Sequence, residues 1–204
     1  MDRITRQKYL KWIRWTDSIY TDIFNLIKDR YIYFELRRII INNKSLVKDN
    51  VLYSYLNNTY GAYILIGIRR QTKVKLNING SVNSKDNSVS LMRLLLELYD
   101  NPNFISTRVN INELKRDIQL LKRLAHNPIK FADRYIAHRD KNILSRALLI
   151  KRNEINNCLN KIAHLYNKYC CTFLSGNLHG IYPPNGSYID AKWKEVFKVP
   201  WLAE

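Results

Sequence analysis

The residue types best suited to chemistry gather between Lys130 and Lys141, in the run KFADRYIAHRDK. Lys130, Arg134, Arg139 and Lys141 supply positive charge, Asp133 and Asp140 supply carboxylates, and His138 supplies an imidazole. Phe131, Ile136 and Ala137 form a small apolar stripe among them. On a helix, Arg134 and His138 share a face about one turn apart. A guanidinium that keeps its proton can compensate phosphate charge, while an imidazole titrating near neutrality can move a proton. That pairing suits a phosphodiester. A basic, solvated helix end has the same composition, so the pair alone does not assign an activity.

The rest of the chain supports a polyanionic partner. Its 204 residues carry 34 Lys and Arg against 17 Asp and Glu, a formal charge of +17 spread along the sequence. Such a field attracts nucleic acid most directly. Hydrophobic residues at 46%, with six Gly and five Pro, argue for a packed core and against disorder or a turn-rich β sandwich. The length fits one domain with an appendage. Charges run through Met1 to Arg14 without an apolar core, so no secretory signal is expected. Gly61 to Ile68 is the longest nearly uncharged apolar run and is too short to span a bilayer. Cys158, Cys170 and Cys171 lack a C-x-x-C spacing and read as reduced core residues of a cytoplasmic protein.

The elements that must position the focal run read as helices. A pattern through Trp12, Ile19, Ile23 and Leu26 predicts a helix over 6–42, continuing along Tyr31, Phe34 and Ile41 after a bend near Asp29. Its aromatic residues read as core, not as a base-stacking platform. A second helix over 51–71 is apolar on every side from Ala62 to Ile68, which predicts a fully buried central helix. It ends in Arg69 and Arg70, explained either by the helix dipole or as a pair of phosphate-binding forks. Residues 73–87 form a small irregular or hairpin-like insertion around Asn79-Gly80. A third helix opens at a Ser88 cap and carries Leu91, Leu94, Leu95 and Leu98. The fourth follows Leu114, Ile118 and Leu121, with Lys115, Arg116, Lys122 and Arg123 outside. Pro128 is expected to break it, leaving the focal run as a short helix of its own. A long helix over 145–173 completes an all-α bundle spanning 1–176. The tail, 177–204, includes a short helix whose Trp193, Phe197 and Trp201 anchor it on the bundle or dock a partner.

No other chemistry competes. His126, His164 and His179 show no metal-ligand spacing, and no P-loop or dinucleotide fingerprint is present, so neither metal nor cofactor is expected.

Several phrases stand together in order: Ile68-Arg69-Arg70-Gln71 after a buried helix, Ser88-Val-Ser-Leu-Met-Arg-Leu-Leu opening the next, Asp117-Ile118, and Ala132 through Lys141. Together they resemble the HEPN superfamily, and more closely its abortive-infection AbiU branch. The likeness covers roughly residues 10–170 in layout. The resemblance implies an all-α bundle acting as a metal-independent endoribonuclease in bacterial defence or as a toxin, commonly a homodimer, with an antitoxin or defence-system protein as a further partner. Its signature is an arginine followed by a histidine across four to six residues. His138 matches that histidine and Arg134 the arginine, with three residues between them and Tyr135 at the usual polar position. Asp133 stands at the four-residue gap.

In the implied mechanism His138 is the acid/base, tuned by Arg134 and Arg139. Arg134, or Arg69 or Arg70 from the buried helix, stabilises the transition-state charge. Lys130, Arg139 and Lys141 add phosphate contacts, and Asp133 and Asp140 support. Asp140 either holds His138 or pairs with Arg139. A second reading is a catalytically inactive module of a defence assembly that binds nucleic acid or a partner.

Overall fold

A computed structural model describes residues 3–42, 51–77, 83, 88–102, 109–137, 150–171 and 180–181, with backbone alone at 3–5 and 135–137. Five α-helices occur among them: α1 (Arg3–Asn42), α2 (Val51–Thr72), α3 (Leu91–Tyr99), α4 (Ile111–Phe131) and α5 (Arg152–Tyr166). Both α4 and α5 run on into wider π turns, over Ala132–Ala137 and Asn167–Cys171. The protein is an all-α bundle.

α1 is α-helical without interruption through Asp29. Trp12, Thr16, Ile19, Ile23 and Leu26 are buried at steps of three and four, and the buried row continues through Tyr33 and Ile40. The expected continuation through Ile41 fails: that side chain is exposed, because the row stays in register one residue earlier. Glu97 of α3 accepts from Lys11 Nζ at 2.6 Å and from Trp12 Nε1 at 2.9 Å, pinning α1 to α3.

α2 touches each of the other four helices. Ile64, Leu65 and Ile68 are buried, yet Tyr63 and Ile66 stand 43% and 48% exposed, so the expectation of burial on every side does not hold. Four neighbours cover one arc of the helix and leave an apolar edge open. Its end is fixed by Gln71, which is fully buried. Gln71 Nε2 donates to Asp22 at 2.8 Å, and its Oε1 accepts the Leu91 N–H at 3.0 Å, one of the donors a helix start leaves orphaned.

α3 begins at Leu91, capped by Ser90, whose hydroxyl accepts the Arg93 N–H at 3.3 Å. Ser88, the expected cap, lies outside the helix and gives its carbonyl to Arg93 Nη1. Leu91, Met92, Leu94, Leu95, Leu96 and Leu98 are all buried. Burying each such side chain stabilises by about 1.5–3 kcal/mol, so this short helix is held by packing and not by its length.

Pro128 does not break the fourth helix. It sits buried within α4, and Ala132 shares its N–H between the carbonyls of Pro128 and Ile129 before the π turns begin. The described part of the focal run, 130–137, therefore continues α4 and is not a separate helix. α5 starts at Arg152, not near 145, because Glu154 accepts the Lys151 N–H at 3.0 Å and closes the helix start there.

Of the 73–87 insertion, the described part contains an isolated bridge at Leu76 and an Asn83 N–H to Lys75 carbonyl bond of 2.9 Å. In the tail, Ile181 is buried, and the Asn167 amide takes both its N–H and its carbonyl at 2.7 Å. Trp193, Phe197 and Trp201 lie outside the described residues. Cys158 and Cys170 are buried and Cys171 half-buried, all three with free thiols.

Candidate nucleic-acid interface

The outer face of α4 carries Lys122, His126 and Lys130 at four-residue steps, and Arg134 follows at the next step in the π segment. In an α-helix four residues overshoot one turn by about 40°, so such a row drifts round the cylinder. A π turn closes between residues five apart and takes more than four residues per turn. The drift therefore reverses, and Arg134 returns towards the row.

These residues, with Ile129, Asp133 and Thr72 from the end of α2, line an open groove of about 340 Å³. Lys122, Lys130 and Arg134 have no ion-pair partner among the described residues. Among the described residues Asp133 is the one carboxylate lining the groove, and it is already engaged. Arg69 Nε donates to Asp133 Oδ1 at 2.5 Å and Lys73 Nζ to Oδ2 at 2.6 Å. Desolvation opposes the Asp133 charge, but hydrogen bonds from Lys73 and Arg69 outweigh it and hold the carboxyl below its usual range. Two cations against one carboxylate leave this corner net positive. Asp133 thus ties α2 to the π segment and draws Arg69 towards the groove.

Arg70 goes elsewhere. It pairs with Asp22 of α1, because adjacent residues on a helix point about 100° apart. The two arginines at the end of α2 diverge, and only Arg69 reaches the π segment.

Of the residues the sequence singles out, Arg134, Lys130, Asp133 and Arg69 are brought together. His138, Arg139, Asp140 and Lys141 lie outside the described residues, and for Tyr135 to Ala137 only the backbone is described. The chain enters His138 directly from the π segment that holds Asp133 and Arg134. Sequence reasoning passed over His126, Lys122 and Lys73 as groove residues. The signal was present in the four-residue recurrence of Lys122, His126, Lys130 and Arg134, which was hidden by treating Pro128 as a break.

A second charged cluster lies further along α4. Asp117 is buried and accepts from Lys161 at 2.6 Å, Lys168 at 2.6 Å and the Tyr169 hydroxyl at 2.7 Å. Burial alone would raise its pKa, yet the bonds from Lys161, Lys168 and Tyr169 bring it down to about 2. With both oxygens accepting from neighbours on α5 or its π extension, Asp117 serves to lock α5 onto α4. Comparison with protein families, with curated proteins and with solved structures finds no match to this chain.

Proposed function

We propose that the protein is a metal-independent endoribonuclease of HEPN-like type, acting in bacterial defence or as a toxin in the cytoplasm. The observation that carries this reading is the groove beside the π segment, where three cations without an ion-pair partner among the described residues line one row with His126. A single strand lying along α4 meets Lys122, Lys130 and Arg134 through successive phosphates. The 2′-hydroxyl then attacks the adjacent phosphorus, the 2′-proton goes to a base, and the 5′-oxygen leaves with a proton from an acid. His138 moves these protons, and Arg134 compensates the charge that builds on the phosphoryl oxygens. No helix among the described residues is long and apolar enough to cross a membrane.

Lys122→Gln, Lys130→Gln and Arg134→Gln combined should weaken RNA binding strongly at low salt and flatten its dependence on salt by about one unit of slope per removed contact. Binding that ignores all three substitutions would remove the groove from the account.

One observation favours a second reading, a catalytically inactive binding module. Arg69, the arginine that α2 brings to the π segment, is committed to Asp133 instead of standing free for a transition state. In either reading the homodimer expected from the resemblance finds an apolar edge on α2. Leu52, Tyr55, Tyr63 and Ile66 are exposed there at helical spacing. An antitoxin or defence-system partner remains part of the proposal.

A further inference from the structure

The end of the bundle where α1, α2 and α5 meet breaks the apolar rule. The buried row of α1 runs Ile19, Ile23, Leu26 and then places Arg30 and Arg37 on either side of Tyr33. On α2 the row of Ile64 and Ile68 is preceded, at the same spacing, by Tyr53, Asn57 and Tyr60. On α5, Arg152, Asn156 and Asn160 recur at four-residue steps and share a face. Three facing rows are polar over the same stretch.

Their contacts converge. Arg37 Nε donates to the Tyr53 hydroxyl at 3.1 Å, and the Arg152 guanidinium lies against the hydroxyls of both Tyr53 and Tyr33. Arg30 Nη1 donates to Asn160 Oδ1 at 2.7 Å. The Tyr33 and Tyr60 rings stack at 3.8 Å, tilted by 1°. None of the three guanidiniums has a carboxylate partner among the described residues. Asp29 acts on Tyr60 and Tyr63 and forms no ion pair with these guanidiniums among the described residues. The Tyr60 hydroxyl and the Asn156 Oδ1 are buried and make no hydrogen bond.

Among the described residues, these three cations meet only neutral acceptors, beside two orphaned buried polar atoms, and no anion answers them. We infer that this cluster is a second anion site, separate from the groove, that takes a phosphate monoester. Guanidinium forks match phosphate oxygens in pairs, and the Tyr60 hydroxyl is left to donate to a further one. A monoester, with close to two charges at neutral pH, answers three cations better than a carboxylate or a diester does. Tyr60 lies twelve residues before Thr72, about 18 Å along the helix axis. The site therefore neither belongs to the groove nor depends on what the groove does. Two sources carry this chemistry, a free nucleoside monophosphate and the phosphorylated end of a strand.

Thermal unfolding and titration calorimetry of the full chain test it, with inorganic phosphate, AMP, adenosine and chloride at matched ionic strength. Phosphate and AMP should raise the Tm, and adenosine and chloride should not. Arg37→Gln and Arg152→Gln should each weaken AMP at least about tenfold with the circular dichroism unchanged. Tyr60→Phe separates a ligand role from a structural one. It removes an orphaned hydroxyl, so the unliganded Tm should hold or rise while AMP affinity falls. A 5′-phosphorylated oligonucleotide that binds more tightly than AMP and its 5′-hydroxyl counterpart assigns the site to strand ends. The reverse order assigns it to free nucleotide. No Tm rise beyond chloride, a rise that survives both arginine substitutions, or Tyr60→Phe binding AMP as wild type does would overturn the inference.

Discussion

At the residue scale, Asp117 shows what a buried carboxylate does here when every partner is present. Its folded-state pKa of about 2 lies below the ordinary 3.8, so folding favours the ionised form. The stability it contributes is complete above about pH 5 and is lost as pH falls through 3.8 towards 2. Denaturant unfolding across that window should show the loss, and Asp117→Asn should flatten it. At pH 7 the same substitution should cost on the order of 2 kcal/mol, because Lys161 loses its carboxylate partner and Lys168 keeps only Glu113. The focal run was legible in part: Lys130, Asp133 and Arg134 share the groove that their types suggested. His126 was not, because a histidine without ligand spacing reads as an ordinary surface residue until a neighbouring helix end walls it in. The split between Arg69 and Arg70 was equally hidden. It depends on where Asp22 and Asp133 stand, and both are distant in sequence.

At the element scale, the helices follow from three- and four-residue recurrence, and their ends follow from competition between nearby caps. Ser88 and Ser90 are both plausible N-caps, and packing of Leu91 decides between them. Pro128 misled for a clear reason: a proline inside a helix removes one hydrogen bond, and buried packing on either side offsets that loss. The two glycines of α2 give a paired prediction. Gly61 has open space where a Cβ would sit, so Gly61→Ala should stabilise by about 0.5–1 kcal/mol through helix propensity. A Cβ on Gly67 would overlap Leu26 of α1, which is itself buried. Gly67→Ala should instead destabilise, the overlap costing about 1–3 kcal/mol and outweighing the propensity gain. Thermal melts of the two variants check the sign. Two stabilising substitutions would mean that α1 and α2 approach less closely than described.

At the scale of the whole molecule, a charge of +17 surrounds a core built mainly from Leu, Ile and aromatic side chains. Composition foretold the all-α bundle well, since the apolar rows needed only to find one another. It foretold the polar end of the bundle poorly, because Arg30 and Arg37 are half-buried in line with the apolar row, where a hydrophobic pattern simply skips them. RNA affinity should fall steeply between 50 and 200 mM salt, on the order of 10³-fold if six phosphates are contacted. The roles proposed for the groove and for His138 are tested most directly by incubating purified protein with RNA in EDTA and analysing the new ends. Cleavage should persist, leave a 2′,3′-cyclic phosphate, and vanish when the 2′-hydroxyl at the cut is replaced by hydrogen. His138→Ala should lower the rate by roughly 10²–10⁴-fold with binding nearly intact, while Arg134→Ala depresses both. RNA that is bound but left whole, with His138→Ala indistinguishable from wild type, would contradict the ribonuclease and leave a binding module.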